Sequence, residues 1–185
     1  MQLGAQNCAG IVLAAGSGTR FGGPKAPFEF EGQRLVDRAV STLTRGGASP
    51  IIVVLGAWVG EVPGCEVVIN SDFESGMGSS LKVALNHLID NHPEVDAAII
   101  TLVDLIGLTP EAVNHMLLSP GELIQATYNG EIGHPVKINR DHWSALHAEL
   151  SGDTGARNYL KSNNATTIEL SEFGTGVDLD FRPTV

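Results

Sequence analysis

The sequence predicts a three-layer α/β fold on a mostly parallel sheet, with an antiparallel or mixed edge in its second half. Short, continuous apolar runs of strand length alternate with segments whose apolar residues recur at helical spacing. The runs are apolar at consecutive positions, as strands covered on both faces require. Beyond Pro120 the alternation gives way to a hairpin pattern centred on Asn129-Gly130.

Residues 9–15 (AGIVLAA) form the first strand-length run and are closed by Gly16. Residues 33–45 (QRLVDRAVSTLTR) place Leu35, Val36, Ala39, Val40 and Leu43 at helical spacing, and Gly46-Gly47 stop that helix. PIIVVLGAW supplies a second buried strand, and CEVVIN a shorter third. After GMG, the stretch SSLKVALNHLI sets Leu81, Leu85, Leu88 and Ile89 on one helix face, with Ser79 or Ser80 available as its cap. Residues 96–103 (DAAIITLV) read as a fourth strand ending at Asp104. LTPEAVNHMLL opens a helix with Thr109 as N-cap, Pro110 at the first helical position and Glu111 in the first turn. LIQATYNG and EIGHPVKI then read as the hairpin strands, HWSALHAEL as a short helix, and SGDTGARNYLKSN as a loop leading into another. TTIEL is the final strand, and GVDLD places its acidic residues two apart.

At 185 residues, 43% of them hydrophobic, with no repeat, linker or charge block, the chain is expected to form a single domain over 1–185. Eleven basic against 21 acidic residues give a formal charge of -10. That balance repels a nucleic-acid backbone, and no basic patch with interleaved aromatics offsets it, so no nucleic acid is expected as a partner. A small anion can still be held in a locally positive cleft. Cys8 and Cys65 have no CxxC spacing and read as free thiols, a disulfide between them being the alternative. No apolar stretch reaches membrane-spanning length, and MQLGAQN lacks the features of an export leader. A cytoplasmic location without membrane contact is therefore expected. His87, His92, His115, His142 and His147 show no ligand-like spacing, and no zinc site is expected from them.

Ligands of open α/β sheets bind beyond the carboxyl ends of the strands, which singles out Gly16 onward, Gly76 to Leu81, and Asp104. In LAAGSGTRFGGPK, the glycines Gly16, Gly18, Gly22 and Gly23 let backbone N–H groups approach a ligand closely. Arg20 and Lys25 add a forked and a point cation. The combination describes a polyphosphate cradle, the alternative being a surface loop whose charges face water. It is not Walker A, because Ala26 follows Lys25, and Thr19-Arg20-Phe21 breaks the GxGxxG pattern. A carboxylate such as Asp104 at a strand end suits Mg²⁺ bridging phosphate oxygens, or else begins a turn. Asp178 and Asp180, two apart, share one side of an extended chain, so either could complete the metal shell.

The loop resembles LAAGxSxRFGxxK, the signature of the MobA-like nucleotidyltransferases, and lies closer to the branch that acts as a cytidylyltransferase on molybdenum cofactor. Further motifs follow in the same order. LVDRAV is similar to the family helix after the lysine, and NSDFESGMGSSLKVAL to NPxxxxGMSSSLxxgl. TLVDLIGLTP is similar to VDMPxLTP, IGHPVKI to GHPVLF, LSGDTGARNYL to GDxGARxxL, and VDLD to a DID ending. The resemblance spans roughly residues 9 to 180 and implies a Rossmann-like nucleotidyltransferase fold. A nucleotide-binding half would cover about 9–110 and an acceptor-side half about 120–180.

By this resemblance, Leu13, Ala14, Ala15, Gly16, Ser17 and Gly18 wrap the base and phosphates, while Arg20 and Lys25 hold the polyphosphate. Asp104 is the Mg²⁺ ligand, joined by Asp178 or Asp180 with Asp180 slightly favoured. Gly76, Ser79, Ser80 and Leu81 form a second nucleotide-contacting loop, and Asn70 approaches the ribose. His134, Asp153 and Arg157 line the acceptor side, where Arg157 could instead hold its loop by an ion pair. Ala15 stands where guanylyl-transferring relatives usually have glycine, which favours CTP over GTP through one methyl. Leu105-Ile106, Gly78 and Ser71 depart from the pattern, and relatives carry a TPEDL-like helix where this chain reads FRPTV.

The implied reaction moves CMP from Mg-bound CTP to the phosphate of molybdopterin in molybdenum cofactor and releases pyrophosphate. The implied partners are the nucleoside triphosphate, the phosphorylated acceptor, and a molybdoenzyme or its maturation chaperone. Two alternatives stay open: a transferase using GTP or a phosphosugar or other phospho-alcohol, and a non-catalytic nucleotide-binding protein.

Overall fold

The structure, a computed structural model, describes residues 7–183. Most of the segment for which no export leader is expected, and the last two residues of FRPTV, lie outside the described residues. Seven strands form one sheet in the order β5-β4-β1-β6-β8-β7-β9. They are β1 (Cys8–Leu13), β4 (Ile51–Leu55), β5 (Glu66–Ile69), β6 (Ala97–Leu102), β7 (Leu123–Tyr128), β8 (Glu131–Asn139) and β9 (Thr166–Glu169). β2 (Glu29–Phe30) and β3 (Gln33–Arg34) make a separate small hairpin.

β1 pairs in parallel with β4 on one side and β6 on the other, so the chain reverses its strand order at β1. The loop leaving β1 therefore opens into a crevice at the topological switch point. Only β8 runs against the others; it is antiparallel to both β6 and β7, while β9 pairs parallel to β7. The mixed half is thus as expected, but its reversed strand lies inside the sheet and a parallel strand forms the edge.

Five helices cover the two faces: α1 (Leu35–Gly46), α2 (Met77–Asn91), α3 (Pro110–Leu118), α4 (Trp143–Glu149) and α5 (Arg157–Ser162). Successive side chains of β1 alternate between the layers. Cys8 and Val12 join Val36, Val40 and Leu43 of α1 and Val113 and Met116 of α3. Ala9, Ile11 and Leu13 join Leu81, Leu85 and Leu88 of α2, Trp143 of α4 and Tyr159 of α5. Each such fully buried leucine stabilises the fold by about 1.5–3 kcal/mol relative to exposure. Among the described residues, no helix is long and apolar enough to cross a membrane.

Local chemistry sets the element ends. Gly47 takes φ 102° after α1, and its N–H reaches Leu43 O and Thr44 O. Thr109 caps α3 by accepting from Ala112 N at 3.1 Å. Asn129 and Gly130 take φ 52° and 83°, the pair of positive values a tight two-residue hairpin needs. α1 begins at Leu35 rather than at Gln33, because Gln33 and Arg34 pair with Phe30 and Glu29 across a Glu31-Gly32 turn. Neither Ser79 nor Ser80 caps α2; its N-cap is Gly76, at φ 109°, and the serines lie in the first turn. Cys8 and Cys65 are both free thiols.

Candidate active site

A cleft of about 650 Å³ opens beyond the carboxyl ends of β1 and β6. The loop after β1 supplies one wall, from Leu13 through Arg20, and Lys25 follows it. Gly76, Met77 and Ser80 at the start of α2 supply another, and Asp104, Asp153 and Asp180 complete the polar lining. Segments far apart in sequence thus meet because β1 and β6 end, and α2 begins, at one edge of the sheet.

The loop is held by backbone bonds centred on Gly18. Gly22 N and Gly23 N both donate to Gly18 O, at 2.9 and 3.1 Å, and Gly18 itself sits at φ 62°. A side chain at Gly18 would collide with Gly23 O. Phe21 is buried beneath the loop with Leu35 and Leu179. Arg182, which has no sequence motif of its own, donates to Gly22 O at 3.1 Å and stacks over the Phe21 and Phe28 rings. Arg20 is exposed and, among the described residues, makes no hydrogen bond or ion pair, so its guanidinium is available to an anion. Ala15 is buried with Leu13, Val54 and Phe73, and also lines the cleft.

Lys25 Nζ lies 2.5 Å from Asp104 Oδ2 and 3.7 Å from Asp180 Oδ1. The segment after Thr175 brings the second and third carboxylates here by backbone pairing. Thr175 N donates to Gly107 O, Gly107 N to Val177 O, and Leu179 N to Asp104 O. Leu179 points into the core, leaving Asp178 and Asp180 exposed. This segment is irregular rather than a strand, yet the two-residue alternation holds. Partial loss of solvation, with Asp104 and Asp180 adding repulsion, pushes the Asp178 carboxyl up to about 6, while Lys25 pulls it down. One ammonium therefore faces three carboxylates, a surplus of negative charge that suits a cation.

Other residues expected at the site lie around this cleft without lining it. Asn70 is only 2% exposed. Its amide donates to Ser79 Oγ at 2.8 Å and Ser80 Oγ at 3.0 Å, and its carbonyl oxygen accepts from Asp72 N. That places Asn70 under the first turn of α2, where it orients the serine hydroxyls. Ser79 Oγ also donates to Gly76 O, and Leu81 is a core residue of the α2 face. His134 is half-buried; burial pushes its imidazole down to about 4, opposed by Asp104 and reinforced by Arg157. Arg157 is exposed and, among the described residues, forms no ion pair, so it does not hold its loop that way. The loop instead packs by shape: Gly76 and Gly78 lie so close to Ser151, Gly152 and Asp153 that a Cβ at either would strike them. Gly78, which departs from the expected serine, is explained by that approach.

Two of the histidines that show no ligand-like spacing in the sequence are neighbours in the fold. His87 and His92 lie with Glu66 in a cluster whose donor atoms are within 4.8 Å of one another. The three are separated in sequence, and only the packing of α2 on β5 brings them together.

A family model described as a MobA-like NTP transferase domain matches residues 10–167. The chain is 35% identical to nicotine blue oxidoreductase of Paenarthrobacter nicotinovorans, over 92% of this chain and 91% of that protein. A Mycobacterium sp. strain JC1 homolog of Mycobacterium tuberculosis Rv0371c has a similar structure, with a TM-score of 0.79 and 26% identity over 95% and 91% of the two chains. The manganese complex of Rv0371c from Mycobacterium tuberculosis H37Rv gives a TM-score of 0.69 at 24% identity, over 89% and 88%.

Proposed function

The chain belongs to the MobA-like NTP transferase family, a family of nucleotidyltransferases, and from that premise we propose that it transfers CMP from CTP to the phosphate of molybdopterin. The observation that carries this reading is the meeting in one cleft of a glycine-rich loop, two cations and an acidic cluster at the switch point of the sheet. An acceptor phosphate oxygen attacks the α-phosphorus and forms a new P–O bond. The bond from the α-phosphorus to the bridging oxygen breaks, and pyrophosphate leaves with the electron pair. No protein nucleophile is needed.

The chain's own residues bind and orient. N–H groups of Gly16 to Gly18 and the unpaired Arg20 face the triphosphate, and Lys25 supplies a fixed positive charge beside it. Asp104 with Asp180, and Asp178 beside them, would hold a divalent ion, Mg²⁺ in this reading. The donor set fits: all three side chains offer hard oxygen ligands, and their charge exceeds what Lys25 neutralises. The mycobacterial protein of similar structure that forms a manganese complex supports a divalent ion in this reading. Such an ion neutralises charge on phosphate oxygens when bound. His134, uncharged near neutral pH, and Arg157 and Asp153 flank the acceptor side. Asn70, Ser79 and Leu81 act beneath the nucleotide, by shaping the start of α2. Ala15, a lining residue of the cleft, carries the preference for cytidine in this reading. In this reading the product passes to a molybdoenzyme or its maturation chaperone in the cytoplasm.

The 35% identity to an oxidoreductase over most of both chains favours a second reading, a redox enzyme built on the same frame. The loop speaks for the first, because Arg20 and Lys25 sit where a triphosphate needs cations and GxGxxG is absent. Pyrophosphate release from CTP and from GTP, with Mg²⁺ and purified molybdopterin as acceptor, separates them. Turnover with CTP supports the proposal. Turnover with GTP alone corrects the nucleotide, binding of CTP without turnover points to a non-catalytic role, and no effect of either nucleotide overturns the proposal.

A further inference from the structure

α2 begins in the cleft and, at 15 residues or about 22 Å, carries its C-terminus to the opposite pole of the sheet. His87 lies on its last turns and His92 immediately follows it, both facing the first residue of β5, Glu66. His87 Nε2 is 2.7 Å and His92 Nε2 3.1 Å from the Glu66 carboxylate. We propose that Glu66, His87 and His92 form a binding site for a transition-metal ion of the zinc type, separate from the cleft.

The geometry suits such an ion. Ligands about 2.0–2.1 Å from a tetrahedral centre lie roughly 3.3 Å apart; the histidine–carboxylate distances here are 2.7 and 3.1 Å, and all three donor atoms lie within 4.8 Å of one another. The two imidazoles are borderline donors, and beside a single carboxylate they favour zinc, cobalt and nickel over magnesium. The set leaves a fourth position, and Glu66 is 44% exposed, so water and the ion both have access. The surroundings orient one ligand. His92 Nδ1 lies 3.3 Å from the Glu94 carboxylate, an acceptor that keeps the proton on Nδ1 and frees Nε2 for a metal. Arg140 donates to His92 O at 3.0 Å and Val95 O at 2.8 Å, pinning the backbone that carries the ligand. The Asn91 amide, 3.4 Å from His87 Nδ1, must rotate to accept its proton, and His87 Nε2 must draw back from the Glu66 carboxylate to admit the ion. A bound ion would tie the end of α2 to the edge strand β5.

Chelator-treated full-length protein is titrated with Co²⁺, in the presence of excess Mg²⁺ to occupy the cleft carboxylates, while visible absorption is followed. The expected result is an intense tetrahedral Co²⁺ spectrum that saturates at one equivalent and is displaced by Zn²⁺. His87→Gln and His92→Gln should each weaken binding more than about 100-fold, beyond the effect of losing an outer-shell partner. Asp104→Asn should leave the spectrum intact. No saturable spectrum, one that survives both histidine substitutions, or one lost with Asp104→Asn overturns the site. A readout without variants is the histidine ring NMR spectrum of the unmodified protein, in which Zn²⁺ should move two imidazoles together; no such movement also overturns it.

Discussion

Lys25 Nζ meets Asp104 Oδ2 at 2.5 Å, joining the glycine-rich loop to the end of β6. The same ammonium is 3.7 Å from Asp180. Asp104→Asn keeps the shape of the side chain but removes its charge. Turnover measured by pyrophosphate release should fall about 10²–10³-fold, the cost of losing one preorganised electrostatic group, with an unchanged far-ultraviolet spectrum. Lys25→Ala should raise KM for the nucleotide as well as lower kcat. Retention of full activity in Asp104→Asn would remove Asp104 from the site.

Gly76 joins the start of α2 to the 151–153 loop. Its φ of 109° is strained for any residue with a side chain, and a Cβ there would lie 2.5 Å from Gly152 O and 2.7 Å from Asp153 Oδ1. Gly76→Ala should therefore destabilise the protein by about 1–3 kcal/mol and weaken nucleotide binding together. Gly78→Ser, which restores the expected family residue, should also lower the melting temperature, because Ser151 N stands 2.9 Å from its Cβ. Thermal unfolding of both variants checks this.

Asn70 contacts three polar groups and is almost fully buried. Asn70→Ala leaves those groups short of partners, and the loss should be about 1–3 kcal/mol by urea denaturation. A ribose contact would instead show as a rise in KM at unchanged stability. The two outcomes distinguish a residue beneath the site from one that touches the nucleotide.

How far the sequence could be read depended on the range of the interaction. β1, the Thr109 cap and the Asn129-Gly130 turn rest on neighbouring residues, and the periodicity or turn chemistry shows them directly. The cleft was legible because its loop, its lysine and its aspartates each sit at an element end, where the position itself is informative. Lys137 was not legible. Between Val136 and Ile138 it reads as the outward residue of a strand, but β8 is covered on both faces and Lys137 is 2% exposed. It donates to Ser119 O at 2.6 Å and to Leu117 O at 3.4 Å, neutralising the C-terminal end of α3. Arg182 and the Glu66, His87 and His92 cluster were hidden for the same reason, since their partners are brought to them only by the tertiary fold.

His134 makes stability depend on pH. Its imidazole is pushed down to about 4 in the folded protein, chiefly by burial, from an ordinary value near 6.5. Between those values the unfolded chain takes up a proton that the folded one refuses. Stability should therefore be complete above about pH 6.5 and decline toward pH 4, by no more than about 1.4 kcal/mol per pH unit. His134→Gln should flatten that part of the profile in urea titrations at successive pH values. An identical slope in wild type and variant would assign the decline to other groups.

Arg182 holds the loop by donating to Gly22 O and by covering Phe21 and Phe28. Arg182→Ala should loosen residues 18–23 and raise KM for the nucleotide several-fold, while kcat changes less. Fluorescent nucleotide titration and steady-state kinetics read both effects. A change confined to kcat would place Arg182 at the reacting phosphate.

The backbone bond from Leu179 N to Asp104 O also sets an order in time. During translation the loop, Lys25 and Asp104 leave the ribosome long before Asp178 and Asp180. An emerging chain therefore carries a lysine and an aspartate that neutralise each other, without the surplus negative charge that attracts a divalent ion. The acidic surplus beside Lys25 is assembled only when the segment after Thr175 pairs with the Asp104 loop, so a nascent chain interrupted before that segment lacks it.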